Sequence, residues 1–214
     1  MTACNGRILG RPFCLFYVSA SFTERSTHYE VGRSSPGPGR PGGNLRSPEI
    51  RNENESDVEV IRTITEAAFR EMPYAGGDEQ DVIDRLRAAG VLSLSLVAII
   101  DQEVVGHVAF SPAVAGDDSQ PWFALGPVSV RPDLQRQGIG SKLIESGLAQ
   151  VDNLGALGCI LTGNPEYYKK FGFALSPENA PPTEPKQFFM IRLLKSSRAV
   201  GPFAFHAAFY GDGQ

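Results

Sequence analysis

The stretch Ala124–Ser146, ALGPVSVRPDLQRQGIGSKLIES, decides the reading of this chain. It opens as an apolar strand and passes through a polar loop with two glycines. It ends on a helix whose apolar face is Leu143, Ile144, Gly147, Leu148 and Val151. Gly126-Pro127 falls inside the strand. Proline has no N–H to give to a ladder, and glycine in a strand marks a bulge or a close backbone approach. The pair predicts a break that splays this strand from one neighbour and leaves its later N–H and C=O groups facing a gap. The loop Gln135-Arg136-Gln137-Gly138-Ile139-Gly140 then feeds a helix start, where free amides carry about +0.5 of a charge. Two glycines let that backbone approach a ligand closely. This is anion chemistry suited to a pyrophosphate, although a plain tight turn accounts for the loop equally well. It is neither a three-glycine dinucleotide fingerprint nor a Walker loop, which needs Gly-Lys-Ser/Thr.

Working outward, 214 residues with 42% hydrophobic and 21% charged composition describe one domain with a sizeable core. No apolar run reaches the ~18–20 residues that cross a bilayer, so no membrane partner is expected. Cys4, Cys14 and Cys159 have neither metal-ligand spacing nor an even count, so no metal is expected and a reduced, cytoplasmic setting is the plain reading. The net charge of −4 is uneven: residues 1–48 hold six Arg and two Glu, leaving 14 basic and 22 acidic groups beyond. An acidic main domain argues against nucleic acid, whose phosphates need clustered Lys and Arg, and suits a cationic or amine substrate.

Gly32–Pro48 packs five Gly and four Pro into 17 residues, which sustains neither helix nor ladder. Residues 1–48 are therefore expected to be a disordered extension: native, a targeting leader or an over-called start. The domain spans 49–214. Glu49–Asn52 reads as a first strand, with Ser56 or Asp57 capping the next helix. That helix carries Val58, Ile61, Ile64, Thr65, Ala68 and Phe69 on one face and stops at Pro73, Gly76 and Gly77. A second helix turns Val82, Ile83, Leu86 and Ala89 inward before Gly90. Ser95–Ile100 and Val104–Ser111 read as strands joined at Asp101-Gln102-Glu103. Trp122–Val130 and Gly158–Thr162 follow. Asn164 is placed to cap a short helix with Pro165 at its first position. Phe173–Leu175 and Phe188–Leu194 supply the last strands. Ser176–Lys186, rich in proline, reads as an exposed loop. The aromatic tail Val200–Tyr210 should pack, since its rings are costly to leave in water.

Val130-Arg131-Pro132-Asp133-Leu134-Gln135-Arg136-Gln137-Gly138-Ile139-Gly140 resembles the V-x-P-x-x-Q/R-x-x-G-x-G/A signature of the GCN5-related N-acetyltransferase (GNAT) family, with every signature position filled. Tyr168, Gly172 and Phe173 match the family's second signature, a tyrosine four residues before Gly-Phe. The resemblance covers roughly residues 49–214 and is strongest to the bacterial subgroup typified by YhbS. It implies an α/β (α+β) fold with a central mixed, mostly antiparallel twisted sheet, splayed between its fourth and fifth strands, and helices on both faces.

It also implies an N-acetyltransferase in which an amine acceptor, a small molecule or a protein or peptide amine, attacks the acetyl-CoA thioester directly. Val128, Ser129 and Val130 would then line the pantetheine, with the Val128 N–H on the thioester oxygen. The amides of Arg136, Gln137, Gly138, Ile139, Gly140 and Ser141 would hold the pyrophosphate, with Gln135 also cofactor-binding. Asn164 would reach the pantetheine or orient the reacting end; a simple helix cap is its plainer reading, and both roles can hold together. Tyr168 would protonate the leaving thiolate; a packed aromatic is its plainer reading, and Tyr167 stands beside it. The sequence leaves the base open between His107 and a water relay, since no Asp or Glu lies in Trp122–Val130. A packed structural histidine also fits His107. A non-catalytic acyl-CoA sensor and a non-amine acyl acceptor are the competing readings. A monomer or homodimer is expected.

Overall fold

The computed structural model describes residues 47–72, 75–195 and 198–211. The expected disorder of the leader up to residue 46, and a helix stop at Pro73, lie outside the described residues. The strands are β1 (Glu49–Asn52), β2 (Leu94–Ile100), β3 (Glu103–Val114), β4 (Trp122–Val130), β5 (Gly158–Thr162), β6 (Ala174–Leu175), β7 (Phe189–Leu193) and β8 (Ala204–Phe205). The helices are α1 (Val58–Phe69), α2 (Glu79–Ala88), α3 (Ile139–Asn153) and α4 (Pro165–Tyr168).

The sheet runs β1-β2-β3-β4-β5-β7-β6, with β8 added to the end of β3. Every pairing is antiparallel except β4 with β5. The β2–β3 hairpin closes through Asp101 and Gln102, both at positive φ (49° and 67°), the turn geometry that matches strand twist.

Each face is covered by what the periodicity supplies. α3 packs against the face bearing Phe110, whose ring fills the space beside Gly147. α1 covers the opposite face: Thr65 Oγ1 and Ser129 Oγ lie 3.0 Å apart. The tail covers the rest of that face, with Phe203, Phe205 and Phe209 buried, each ring contributing roughly 1.5–3 kcal/mol by leaving water. Arg85 on α2 pins the tail by donating to the carbonyls of Ala208 (2.9 Å) and Phe209 (3.1 Å).

Four local expectations are corrected. Asp57 stands at the N-cap of α1 but makes no side-chain cap bond there; the side-chain cap lies one turn earlier, in the 3-10 turn Glu55–Asp57, where Asn54 accepts from Ser56 N–H while Asp57 accepts from Asn54 N–H, a reciprocal box. α1 ends at Phe69, ahead of Gly76 and Gly77. Ala89 is exposed, because α2 is finishing where the pattern would turn it inward. The Ser176–Lys186 loop is not simply exposed: Ser176, Asn179, Ala180 and Pro181 are buried, and Asn179 holds the tail through Gly201 O at 2.7 Å.

Candidate active site

The break inferred at Gly126-Pro127 is present. β4 keeps its pairing to β3 through a register shift between Val108 and Phe110. Its parallel pairing to β5, by contrast, covers only Trp122–Ala124 against Gly158–Ile160. Beyond Ala124 the two strands diverge. The direction of the exposed edge follows from one bond: Arg131 N–H donates to Val105 O on β3 at 2.9 Å. Alternate residues of a strand turn their backbone groups to opposite sides, so Val130 and Val128 face away from β3, into the gap. Gln135 Nε2 donates to Val130 O at 3.1 Å, bracing that edge where the strand ends. Ser129, between them, turns its backbone to β3 and its hydroxyl to Thr65.

The gap opens onto the glycine loop. Arg136 takes φ 62° and Gly138 φ 86°, which swings the chain into α3. Lys142 N–H is bonded to Gly138 O at 3.1 Å, so the amides of Ile139, Gly140 and Ser141 precede the first helical donor and point out of the helix start. Arg136, Gln137 and Gly138 are exposed. Lys170 adds a positive charge here, its Nζ 3.0 Å from Ser141 Oγ and 4.2 Å above the Tyr167 ring. Arg131 is already engaged by Glu103 and Asp133, each at 2.9 Å.

Asn164 caps α4 as expected, accepting from Glu166 N–H at 2.9 Å with Pro165 at the first position. α4 follows β5 in the chain and holds Tyr168 fully buried, edge-on to Tyr167 (5.1 Å) and Phe173 (6.0 Å). Burial raises the Tyr167 phenol above its usual range, partly offset by a hydrogen bond to Ser141, so Tyr167 ties α4 to the glycine loop.

His107 sits opposite Ser129 in the β3–β4 register and carries no exposed surface. Its Nε2 lies 2.7 Å from Ser95 Oγ, which also reaches Glu53 at 2.5 Å. Glu53 is held in turn by Arg87 through two bonds of 3.0 Å. Burial lowers the His107 pKa from 6.5 to about 4, the Glu53 charge opposing. This enclosed, neutral imidazole belongs to a packed network and is not brought into contact with Tyr168, so it fits the base role poorly.

Three buried side-chain polar atoms among the described residues lack a partner: His107 Nδ1, Ser111 Oγ and Thr162 Oγ1. Thr162 ends β5 at the mouth of the gap. The half-buried carboxylate of Glu184, from the loop before β7, lies near it. Thr162 Oγ1 makes no bond of ordinary length yet stands close enough to favour the ionised carboxylate. Tyr210 donates to Glu184 Oε1 at 3.4 Å and lies 3.3 Å from Thr183 Oγ1. Burial raises both Glu184 and Tyr210, the latter to about 12. Sequence reasoning missed this cluster because a proline-rich segment reads as solvent loop. The tail's density of aromatics was the one sign that something would fold over it.

Among the described residues no helix is long and apolar enough to cross a membrane. The model of the acetyltransferase (GNAT) domain matches residues 92–175, from the β2–β3 hairpin through β6. YhbS of Escherichia coli K12, an uncharacterised N-acetyltransferase, is 37% identical over 100 residues, 46% of this chain and 59% of that protein, so the match spans less than two thirds of its length. A GNAT family acetyltransferase from Brucella melitensis, solved with acetyl-CoA, is 44% identical and covers 76% of this chain and 98% of its own at TM-score 0.68. The E. coli YhbS structure, solved with CoA, is 26% identical and covers 82% of this chain and 98% of its own, also at 0.68. With its signature loop, splayed β4 and β5 and these relatives together, the chain belongs to the GNAT acetyltransferase family.

Proposed function

We propose that the protein is an acetyl-CoA-dependent N-acetyltransferase in which an amine attacks the thioester directly. The observation that carries this reading is the early end of β4–β5 pairing at Ala124–Ile160, which turns the backbone of Val128 and Val130 into an open gap. A pantetheine arm carries two amides and would take the place of the missing strand. The amides of Ile139, Gly140 and Ser141, with Lys170 beside them, would receive the pyrophosphate. The relatives solved with acetyl-CoA and with CoA support the same ligand.

In this reading the Val128 N–H stabilises the charge that develops on the thioester oxygen. Tyr168 gives its proton to the departing thiolate. Holding amine and thioester together supplies much of the acceleration, up to ~7–11 kcal/mol in favourable cases.

The test is calorimetric titration with acetyl-CoA, followed by CoA release measured against a panel of amines, amino acids and peptides. Binding with amine-dependent release is the expected result. Binding with no release under any acceptor would turn the reading toward a sensor, and absence of binding would end it.

A further inference from the structure

We propose that Glu184 is the group that takes the proton from the acceptor, within a three-oxygen nest shaped for a primary ammonium: the Glu184 carboxylate, Thr162 Oγ1 and the Tyr210 hydroxyl. The proposal rests on the transfer reading above and specifies its acceptor.

Position is the first ground. Ala124 faces Ile160 across the last parallel pair, and Thr162 lies two residues further along β5, on the same face as Ile160. The hydroxyl therefore stands where the gap opens, on the side covered by the tail: its register partner is Phe189, whose ring meets Phe203 and Phe205. That is also the face that α1 and α2 cover, opposite α3.

Unused bonding capacity is the second. Thr162 is 3% exposed, and its Oγ1 makes no hydrogen bond of ordinary length. A buried hydroxyl without a partner costs about 1–3 kcal/mol and is retained where a ligand completes it. An ammonium group carries three N–H donors, and Glu184 has the Tyr210 hydroxyl 3.4 Å from its Oε1 and Thr162 beside it to share in receiving them. A carboxylate among these oxygens selects a cation, and the aromatic wall of the tail would suit the acceptor's apolar remainder.

The third ground is elimination among the carboxylates nearby. Glu79, at the start of α2, is spent on the amides of Gly76 (2.6 Å) and Gly77 (3.1 Å). Glu53 is held by Arg87 and Ser95, and Asp57 by Arg51. Among the described residues Glu184 interacts with the hydroxyls of Thr162 and Tyr210, and burial raises its pKa above the usual carboxylate range.

The chemistry balances. The Glu184 carboxylate removes one proton from the ammonium. The freed lone pair forms the C–N bond at the thioester carbon as the C–S bond breaks. Tyr168 protonates the thiolate and recovers its proton from the second N–H of the attacking nitrogen. Glu184 returns its proton to solvent, and N-acetyl product and CoA thiol leave.

The experiment compares the full-length protein with Glu184→Gln and Thr162→Val. Acetyl-CoA affinity is read by calorimetry and CoA release by a thiol reagent. The acceptors are n-butylamine, cadaverine, 2-phenylethylamine, glycinamide and water. Gln keeps an oxygen for Tyr210, so the loop stays anchored. The expected result is a fall in kcat of about 10²-fold for Glu184→Gln, unchanged acetyl-CoA affinity, and for Thr162→Val a raised KM for the amine with kcat less affected. Wild-type release rates in Glu184→Gln would overturn the inference while leaving the transfer reading intact. Tight acetyl-CoA binding with no wild-type release from any acceptor would overturn both.

Discussion

The ring of Phe110 stands where a side chain at Gly147 would have to go: its Cε2 lies 2.2 Å from the position an added Cβ would take, and Cζ lies at 2.6 Å. The contact fixes how closely α3 approaches β3, and therefore where the helix start meets the strand edge. Gly147→Ala should overpack this seam and lower stability by about 1–3 kcal/mol. Urea unfolding should show a lower midpoint at an unchanged slope.

Gly138 differs in kind. Nothing lies within 4 Å of a Cβ built there, so room is available, but its φ of 86° is strained for any L side chain. Gly138→Val should pull the loop toward ordinary dihedrals and misdirect the amides that follow. A cost of about 1–2 kcal/mol at that position corresponds to roughly tenfold weaker acetyl-CoA binding. Unchanged affinity by calorimetry would remove the loop from the pyrophosphate site.

The two adjacent tyrosines should separate by kinetics. Tyr168→Phe is expected to lower kcat by ~10²–10⁴-fold with little change in the KM for acetyl-CoA. Tyr167→Phe, which cuts the tie to Ser141, should act on that KM instead. Full activity in Tyr168→Phe would show that the thiolate is protonated elsewhere.

His107 should leave its mark on stability. In the folded chain it stays neutral down to about 4, because burial disfavours the imidazolium, whereas the unfolded chain takes up that proton near 6.5. Between those values the unfolded state holds more protons, so stability is full above pH ~6.5 and declines as pH falls toward 4. The gap corresponds to on the order of 3 kcal/mol. Denaturant midpoints at pH 7 and pH 4.5 should show the loss, and His107→Gln should flatten it.

What the sequence made legible, and what it hid, divides by the range of the forces involved. Gly126-Pro127, Asn164-Pro165 and the apolar stripe of α3 act through backbone rules and periodicity, and each lies where those rules put it. The motif positions share that advantage, because a tight loop into a helix is a local object. The side-chain cap lies at Asn54, ahead of the 3-10 turn before α1, because three polar residues compete there and only geometry decides among them. Glu184 escaped notice because its burial depends on a tail some 26 residues away. His107 looked like a base because its residue type suits one. What it does instead follows from Ser95, Glu53 and Arg87, which arrive from β2, the turn after β1, and α2.

The brevity of the β4–β5 contact has a mechanical side as well. The sheet is two plates, β1 to β4 and β5 with β7 and β6, joined along a seam three residues long. Phe203 crosses that seam, edge-on to Trp122 at 4.8 Å on one plate and tilted against Phe189 at 6.3 Å on the other. It works as a clasp. The ring holds the two plates together at the closed end of the gap, so the tail guards the hinge of a gap to which it contributes no strand.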